Sequence, residues 1–516
     1  MKKHILNIAV SVLLTLALSS CFSDESSLGD PNSVPTIKVT IPEKTSVVSY
    51  KGNHLTINPE IESIYDDSQL QYTWYLYVDK DMSGAHFRDE VIGTERNLDW
   101  EVNKPSGVYI VCFEVKVKET GLSQYSQDTL NVSTEFSDGF YILKETEDGQ
   151  ADIDLSTETG FSSDIIQKLT GNHLQGKPVT LAMVYQQNYV NPNTNEMEMT
   201  NMLNIFTTEE YRAYRTEDMK QIFDQKSICY AGEDNDDVYY NMTNAWNIGF
   251  MLSKKGISSI DMKGESSKST GKLKLPSFED DVTQHVQLCF TGQRGILYWS
   301  NQLPGVRNID QGGVNRMDIS VDTTGITKCI ASGINRMNRM GETAWFLAQE
   351  KGTGKRFLHI IDSRNAKQIE VRELNPELHI SKASHVAGCG RSAAYIYAVD
   401  GGKLYAYAWE TDNEVEIPLY GVTEPINFVT NQWLALSFGD TPRNYDNLIV
   451  GTQNGNNYTL YFFDKLTGGI PTEVAYRTIT GTGNIQSIRR CLPSTINNLW
   501  ITAGARGVNP IFPTSE

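Results

Sequence analysis

After residue 18 the chain has no apolar run approaching the length of a membrane-spanning helix, which excludes a helical polytopic membrane protein. It also lacks H-E-x-x-H, G-x-S-x-G and the Gly-rich phosphate loop, so the commonest zinc-protease, serine-hydrolase and nucleotidase signatures are missing. Basic residues are in deficit: 45 Lys and Arg stand against 63 Asp and Glu, a formal charge of -18. Nucleic-acid binding needs a basic surface that displaces phosphate counterions, so that class is excluded too. Cysteine is sparse and unpaired in spacing. Apart from Cys21, the residues Cys112, Cys229, Cys289, Cys329, Cys389 and Cys491 are scattered, with no C-x-x-C, and several sit inside apolar runs such as Val111-Cys112-Phe113. Buried free thiols are expected rather than a disulfide framework or a zinc cluster.

What is present begins with a targeting signal. Met1-Lys2-Lys3-His4 is cationic, Ile5 to Leu18 is apolar but short, and Leu18-Ser19-Ser20-Cys21 resembles a bacterial lipobox. Residues 1–20 are therefore read as a lipoprotein signal peptide, with Cys21 carrying a diacylglycerol and an N-acyl chain in place of any other cofactor. Two or three acyl chains anchor durably, each buried methylene contributing roughly 0.8 kcal/mol. Residues 21–33, rich in Ser, Asp and Glu without apolar periodicity, form a flexible acidic tether. An acidic stretch behind the lipidated cysteine resembles the surface-export signal of lipoproteins in the Bacteroidota, which implies the outward face of the outer membrane.

Nearly 500 residues remain, too many for a single core. Twenty-five tyrosines, forty glycines and modest proline suit an all-β chain with many tight turns. Over residues 34–135, period-two runs such as Leu70-Gln71-Tyr72-Thr73-Trp74-Tyr75-Leu76 and Gly107 to Val117 alternate with polar turns. That spacing predicts an immunoglobulin-like β-sandwich, with Trp74 buried on a central strand.

From residue 136 to 516 hairpin pairs recur about every 50 residues, the repeat of a four-stranded propeller blade. The clearest are Ala344 to Ala348 with Phe357 to Asp362, Ala394 to Ala398 with Leu404 to Trp409, and Leu448 to Thr452 with Tyr458 to Asp464. Seven blades fit the length. Glu209 to Gln225, with Tyr211, Tyr214, Met219, Ile222 and Phe223 at helical spacing, predicts one helix between blades.

The order of lipobox, acidic tether, sandwich, then Gly139-Phe140-Tyr141-Ile142-Leu143, Asp148-Gly149 and Asp152-Ile153-Asp154-Leu155 resembles the PKD-like lipoprotein family of the Bacteroidota. That resemblance implies a PKD-like sandwich followed by a propeller. It further implies partnership with an outer-membrane TonB-dependent transporter and a SusD-like lipoprotein in nutrient uptake. No shared catalytic motif comes with it.

No residue set is assigned to catalysis or to a metal. His379, His385 and Cys389 have metal-like spacing but the alternation of a strand, and Glu233-Asp234-Asn235-Asp236-Asp237 lacks the glycine and distal glutamate of a calcium loop. Two stretches are candidate ligand contacts. Tyr185-Gln186-Gln187-Asn188-Tyr189, read as a loop, offers Tyr185 and Tyr189 for stacking on a sugar or peptide. The Arg307 to Arg339 stretch offers Arg307, Arg316, Arg336 and Arg339 as clamps for carboxylates, phosphates or an anionic ferric siderophore. Pairing with surplus Asp and Glu is the competing role for these arginines. The expectation is a non-enzymatic surface lipoprotein that captures a small molecule, glycan or peptide for a TonB-dependent transporter. A ferric siderophore receptor is the narrower alternative, and a glycan- or peptide-degrading propeller enzyme the other.

Overall fold

A computed structural model describes residues 37–42, 46–48, 53–77, 90–104 and 107–491, less 159, 231, 233–236, 246–247, 262–269, 275, 277–281, 283–284, 289–294, 311–315, 322–325, 339–340, 363–364, 389–394, 435–444 and 467–468. The described residues are almost entirely β, with one α-helix, Ile165–Thr170. Two compact units are built from them, one taking in His54–Val102 and Tyr109–Leu130, the other Ser46–Asn53, Asn103–Val108 and Asn131 onwards.

The first unit is a β-sandwich. Its larger sheet sets Ser123–Ser133, Gly107–Val117, Leu70–Tyr77 and Glu90–Gly93 side by side in that order. The pairs Lys38–Thr40 with Glu60–Glu62 and His54–Ile57 with Leu98–Glu101 make the smaller sheets. Alternation decides which side chains go inside: Leu70, Trp74 and Leu76 are buried, as are Phe113, Val115 and Val117 on the neighbouring strand. Trp74 stacks on Phe113 with ring centroids 4.2 Å apart, and its indole N–H donates to the Glu95 carbonyl at 3.0 Å. That bond satisfies the one polar atom of a side chain otherwise buried for its apolar surface.

The second unit is a β-propeller, and its blades follow from strand order. Among the described residues seven antiparallel sheets succeed one another, numbered here as blades 1 to 7. Their inner strands are Asn484–Cys491, Pro178–Val190, Tyr239–Ala245, His285–Leu288, Ile326–Asn338, His385–Ala387 and Ile426–Leu434. Each inner strand touches the next, and Ile426–Leu434 touches Asn484–Cys491, so the ring closes. Closure is made within blade 1. The last described strand, Asn484–Cys491, supplies its inner edge, while Gly139–Glu145, Ala151–Ser156 and Phe161–Ser162 supply the rest. A ring closed this way removes the exposed edge that an open sheet would present. The core lies between blades: Tyr141, Leu143 and Ile153 of blade 1 meet Leu181, Leu203 and Ile205 of blade 2. On its other side, Phe140 and Ile142 meet Phe428, Leu460 and Phe462 of blade 7.

Two local expectations fail here. The segment read as a helix over 209–225 forms Tyr211–Arg215 and Gln221–Asp224, the outer strands of blade 2. A turn separates them, with Met219 at φ 55° donating its N–H to the Arg215 carbonyl at 2.8 Å. Both faces of the strand before it are buried, Tyr214 towards blade 1 and Tyr211 on the other side, which sets aromatics at intervals that mimic a helical stripe. The stretch Tyr185 to Tyr189 is not a loop but part of the strand Pro178–Val190, paired with Met197–Thr207 through a bulge. The four described cysteines, Cys112, Cys229, Cys329 and Cys491, are buried, as their apolar settings suggested.

Candidate functional site

Topology selects one face of the propeller. Successive strands of a blade are antiparallel, so the turn between its second and third strands opens on the same face as the connection into the next inner strand. On that face, blade 1 contributes the turn after Glu145 and the connection carrying the helix Ile165–Thr170. Blade 7 adds Asn456, the Thr482-Gly483 connection follows it, and blade 2 adds Glu209 and Glu210. Between them lie two adjoining clefts of about 450 and 820 Å³, which share Asp148, Gln167 and His173.

The floor of this region is built from alternating aspartates. On Ala151–Ser156, Asp152 and Asp154 point to one side while Ala151, Ile153 and Leu155 fill the blade 1–blade 2 core. Both aspartates are wholly buried. Such a pair is tolerable only if every oxygen is satisfied and the charge is met. For Asp154 the counter-charge is Lys144 on the facing strand, itself 1% exposed, with Nζ 2.7 Å from Oδ1. The same ammonium lies 2.9 Å from Oδ1 of Asp164. Tyr458 of blade 7 donates its hydroxyl to the other Asp154 oxygen at 2.7 Å.

Asp152 is held by main-chain donors. Its oxygens accept from the N–H groups of Ile153, Ile166 and Gln167 at 2.7, 3.0 and 3.0 Å, and Oδ2 lies 2.7 Å from Nδ1 of His173. The helix is thus capped from a neighbouring strand, because its own preceding residue is otherwise engaged. That residue, Asp164, sits at φ 52°, ψ 51°, a left-handed conformation costly for any residue but glycine. Its N–H bonded to Asp154 at 2.9 Å and its carboxylate bonded to Lys144 hold it there. With Nδ1 taken by Asp152, His173 has Nε2 left for the cleft.

Charge follows burial. For Lys144, burial works to lower the ammonium's pKa, but Asp154 and Asp164 outweigh it and hold the group above the usual lysine range. Burial raises Asp154 above the carboxylate range against the pull of Lys144. The more open Asp164 stays below that range, since Lys144 overcomes its lesser burial. Burial and Asp154 together drive the Tyr458 phenol far above its ordinary value. Lys144 is therefore neutralised within the protein. The cleft walls add Glu147, Asp148, Glu209 and Glu210, while Arg212 is paired to Glu210 at 2.8 Å, so the lining is polar and acidic.

The residues singled out from the sequence for ligand contact are not brought together here. Arg307, on the third strand of blade 4, is 2% exposed, and its Nε lies 2.7 Å from Asp318 on the adjoining strand. It is spent as a cross-strand ion pair, so its reading as a ligand clamp gives way to the acid-pairing one. Arg316 is exposed on the fourth strand of that blade. Arg336 lies on the inner strand of blade 5, its side chain outside the described residues, as is Arg339 altogether. The arginine stretch is thus distributed over two blades. Tyr189 is 1% exposed, hydrogen-bonded to Glu198 and accepting from Arg215 at 3.0 Å, and burial and Glu198 push its phenol up to about 12. A buried, doubly bonded tyrosine does not stack on a ligand, which corrects its reading as a contact. Tyr185 shares its strand, with its side chain outside the described residues, and Cys21 lies outside them as well.

His379 pairs with Asp400 at 2.8 Å and stacks on Tyr405, whereas His385 bonds Ser384 and Cys389 lies outside the described residues. Asp237 is buried and accepts from Ser253 at 2.5 Å; residues 233–236 lie outside the described set. Among the described residues no cluster of three or more His, Cys, Asp or Glu is arranged to hold a metal ion. The sequence singled out Asp148, Asp152 and Asp154 as part of a motif but missed Lys144, Asp164 and His173. The available signal was two aspartates at i and i+2 on an otherwise apolar strand, a pattern that demands a buried cation opposite.

No curated protein matches the chain. Solved structures with similar folds include a quinonprotein alcohol dehydrogenase-like protein from Bacteroides thetaiotaomicron at 13% identity and TM-score 0.36, covering 88% of this chain and 96% of that one. Kuenenia stuttgartiensis hydrazine synthase follows at 10% identity and TM-score 0.34, covering 57% of this chain and 79% of its own. The Dos1 propeller is similar at 8% identity and TM-score 0.33, covering 70% and 96%. Residues 21–178, which take in the sandwich and the blade 1 strands with both buried aspartates, match the profile of the PKD-like family.

Proposed function

We propose that this chain is a non-enzymatic lipoprotein of the outer membrane surface, anchored through Cys21, that captures a nutrient for a TonB-dependent transporter working with a SusD-like partner. The observation that carries a binding role is the pair of clefts around Asp148, Gln167 and His173, set on one propeller face over the Lys144–Asp154 ion pair and the Asp152–His173 hydrogen bond. A rigid floor with polar side chains above it suits recognition, because little ordering is needed when a ligand arrives. The lining also speaks to ligand class. Glu147, Asp148 and Asp164 disfavour an anionic ferric catecholate, and hydroxyl, amide and imidazole groups suit a neutral glycan or a basic peptide.

Two experiments test this. In cells, Cys21→Ala should move the protein from the membrane fraction to the soluble one; retention at the membrane would refute the anchor. A thermal-shift screen of the full chain in detergent against neutral oligosaccharides, basic peptides and ferric siderophores tests capture. A ligand at a hundred times its dissociation constant adds about 2.7 kcal/mol to stability. A hit weakened by His173→Ala supports the cleft, a hit indifferent to His173 puts capture elsewhere, and silence in all three classes argues against capture by this chain alone.

A further inference from the structure

Arg489 lies on the inner strand of blade 1 and is wholly buried. Its Nη1 donates at 2.7 Å to the carbonyl of Ile488, the residue before it, while Nε and Nη2 have no hydrogen-bond partner. No carboxylate pairs with it among the described residues. The adjacent Arg490 is matched, with Nη2 2.5 Å from Asp138. Burial lowers Arg489 to about 10, which still leaves it cationic at neutral pH. An interior guanidinium without a counter-charge is strongly unfavourable, and water can satisfy its N–H groups but not its charge.

Position narrows what supplies that charge. Asn484–Cys491 is flanked around the ring by the inner strands Pro178–Val190 and Ile426–Leu434. Each flanking strand carries a buried polar group without a partner: both amide atoms of Gln187 on one, and the hydroxyl of Thr430 on the other. On the outer strands and connections some buried polar groups, such as Lys144, Asp152 and Asn204, are bonded and others, such as Trp299 Nε1 and Arg356 Nε, are not. Among the described residues of the seven inner strands, the unmet polar groups therefore fall on three consecutive ones. We propose that the propeller axis, beside the inner strands of blades 7, 1 and 2, is a binding site for one small oxyanion group anchored on the guanidinium of Arg489. The planar N–H fork fits two oxygens of a carboxylate, sulfate or phosphate, and the site is separate from the acidic clefts.

Isothermal titration of the full chain in detergent, at constant ionic strength, with inorganic phosphate, sulfate and acetate in turn tests this. One saturable site is expected, weakened at least about tenfold by Arg489→Gln, since a charge-assisted contact is lost. Saturation by acetate alone would identify the group as the carboxylate of an organic ligand, and saturation by phosphate or sulfate as a free inorganic oxyanion. No saturable heat with any of the three, or equal affinity in the variant, overturns the proposal. If Arg489→Gln does not fold, crystals of the wild-type chain grown in bromide decide. An anomalous peak against the guanidinium supports the site, and ordered water alone in its place overturns it.

Discussion

Replacing Lys144 with methionine keeps the volume of the side chain and removes its charge. Asp154, wholly buried, is then left ionised with only Tyr458 and the Asp164 N–H for company. Removing one partner of a buried ion pair costs about 3–5 kcal/mol. Asp164 contributes less to that loss, because its side chain is 28% exposed and can turn to water. A deficit of about 3–5 kcal/mol is therefore expected at pH 7.5, read from urea midpoints by far-UV circular dichroism and tryptophan fluorescence. Its pH dependence has a definite sign. Burial already raises the folded-state pKa of Asp154, and losing Lys144 raises it further. A carboxylate so raised destabilises the fold above that pKa, and the penalty fades as pH falls through it. The gap between Lys144→Met and wild type should narrow steadily from pH 7.5 to 5. Adding Asp154→Asn should recover roughly half the loss or more, since a neutral amide needs no counter-charge. A Lys144→Met protein within about 1 kcal/mol of wild type, or one whose deficit ignores pH, would refute the reasoning.

Other outcomes follow from the same geometry. In the wild type, Asp164 and Asp224 are held below the carboxylate range, each against its own burial, by Lys144 and by hydrogen bonds from Ser227 respectively. Depressed carboxylates give stability that is present above their unfolded pKa and lost as pH falls through the folded one, so the melting temperature should drop steeply below about pH 4. Gly483 sits at φ +101° where an added Cβ would lie 2.5 Å from the Glu145 carbonyl oxygen, so Gly483→Ala should cost more than about 1 kcal/mol, seen as a lower urea midpoint. Tyr189→Phe should lose about 1 kcal/mol with its bonds to Glu198 and Arg215, and leave the affinity of any cleft ligand unchanged by titration calorimetry.

The strands of both units were legible because burial in an all-β chain writes itself as period two. Trp74 and Phe113 fall where alternation puts them, and the hairpins Gly341–Glu350 with Arg356–Asp362 and Tyr445–Asn454 with Asn457–Phe463 stand where the repeat marks them. Alternation is hidden where both faces of a blade strand are buried, each against a neighbouring blade. Tyr211 and Tyr214 are both buried on one five-residue strand, and that spacing of three suggested a helix. The site was less legible because its members come from distant parts of the chain. For Arg307 the choice between ligand clamp and acid pairing stayed open, because Asp318, its partner, becomes its neighbour only through the register of two strands. Polar residues near one another in sequence were mistaken for a surface, whereas strand pairing sent them to separate strands and blades.

The same distance explains why the motif around Asp152 and Asp154 carries more than one role. Tyr458 and Asp154 are 304 residues apart, and Arg477 reaches Ser156 across 321 at 2.7 Å while its guanidinium lies over Phe140. These contacts exist only when the last strand has closed blade 1. Contacts of such separation form late, since the chain must lose loop entropy before they contribute. The floor of the clefts is therefore the seam of the ring. An open propeller would expose Lys144, Asp154 and Asp164 to water, where each is content alone, and would leave the blade 7 side of the cleft, Asn456 and Thr482, without its opposite wall. A ligand that spans Asp148 and Asn456 binds the closed ring only, so its binding energy adds to the stability of closure.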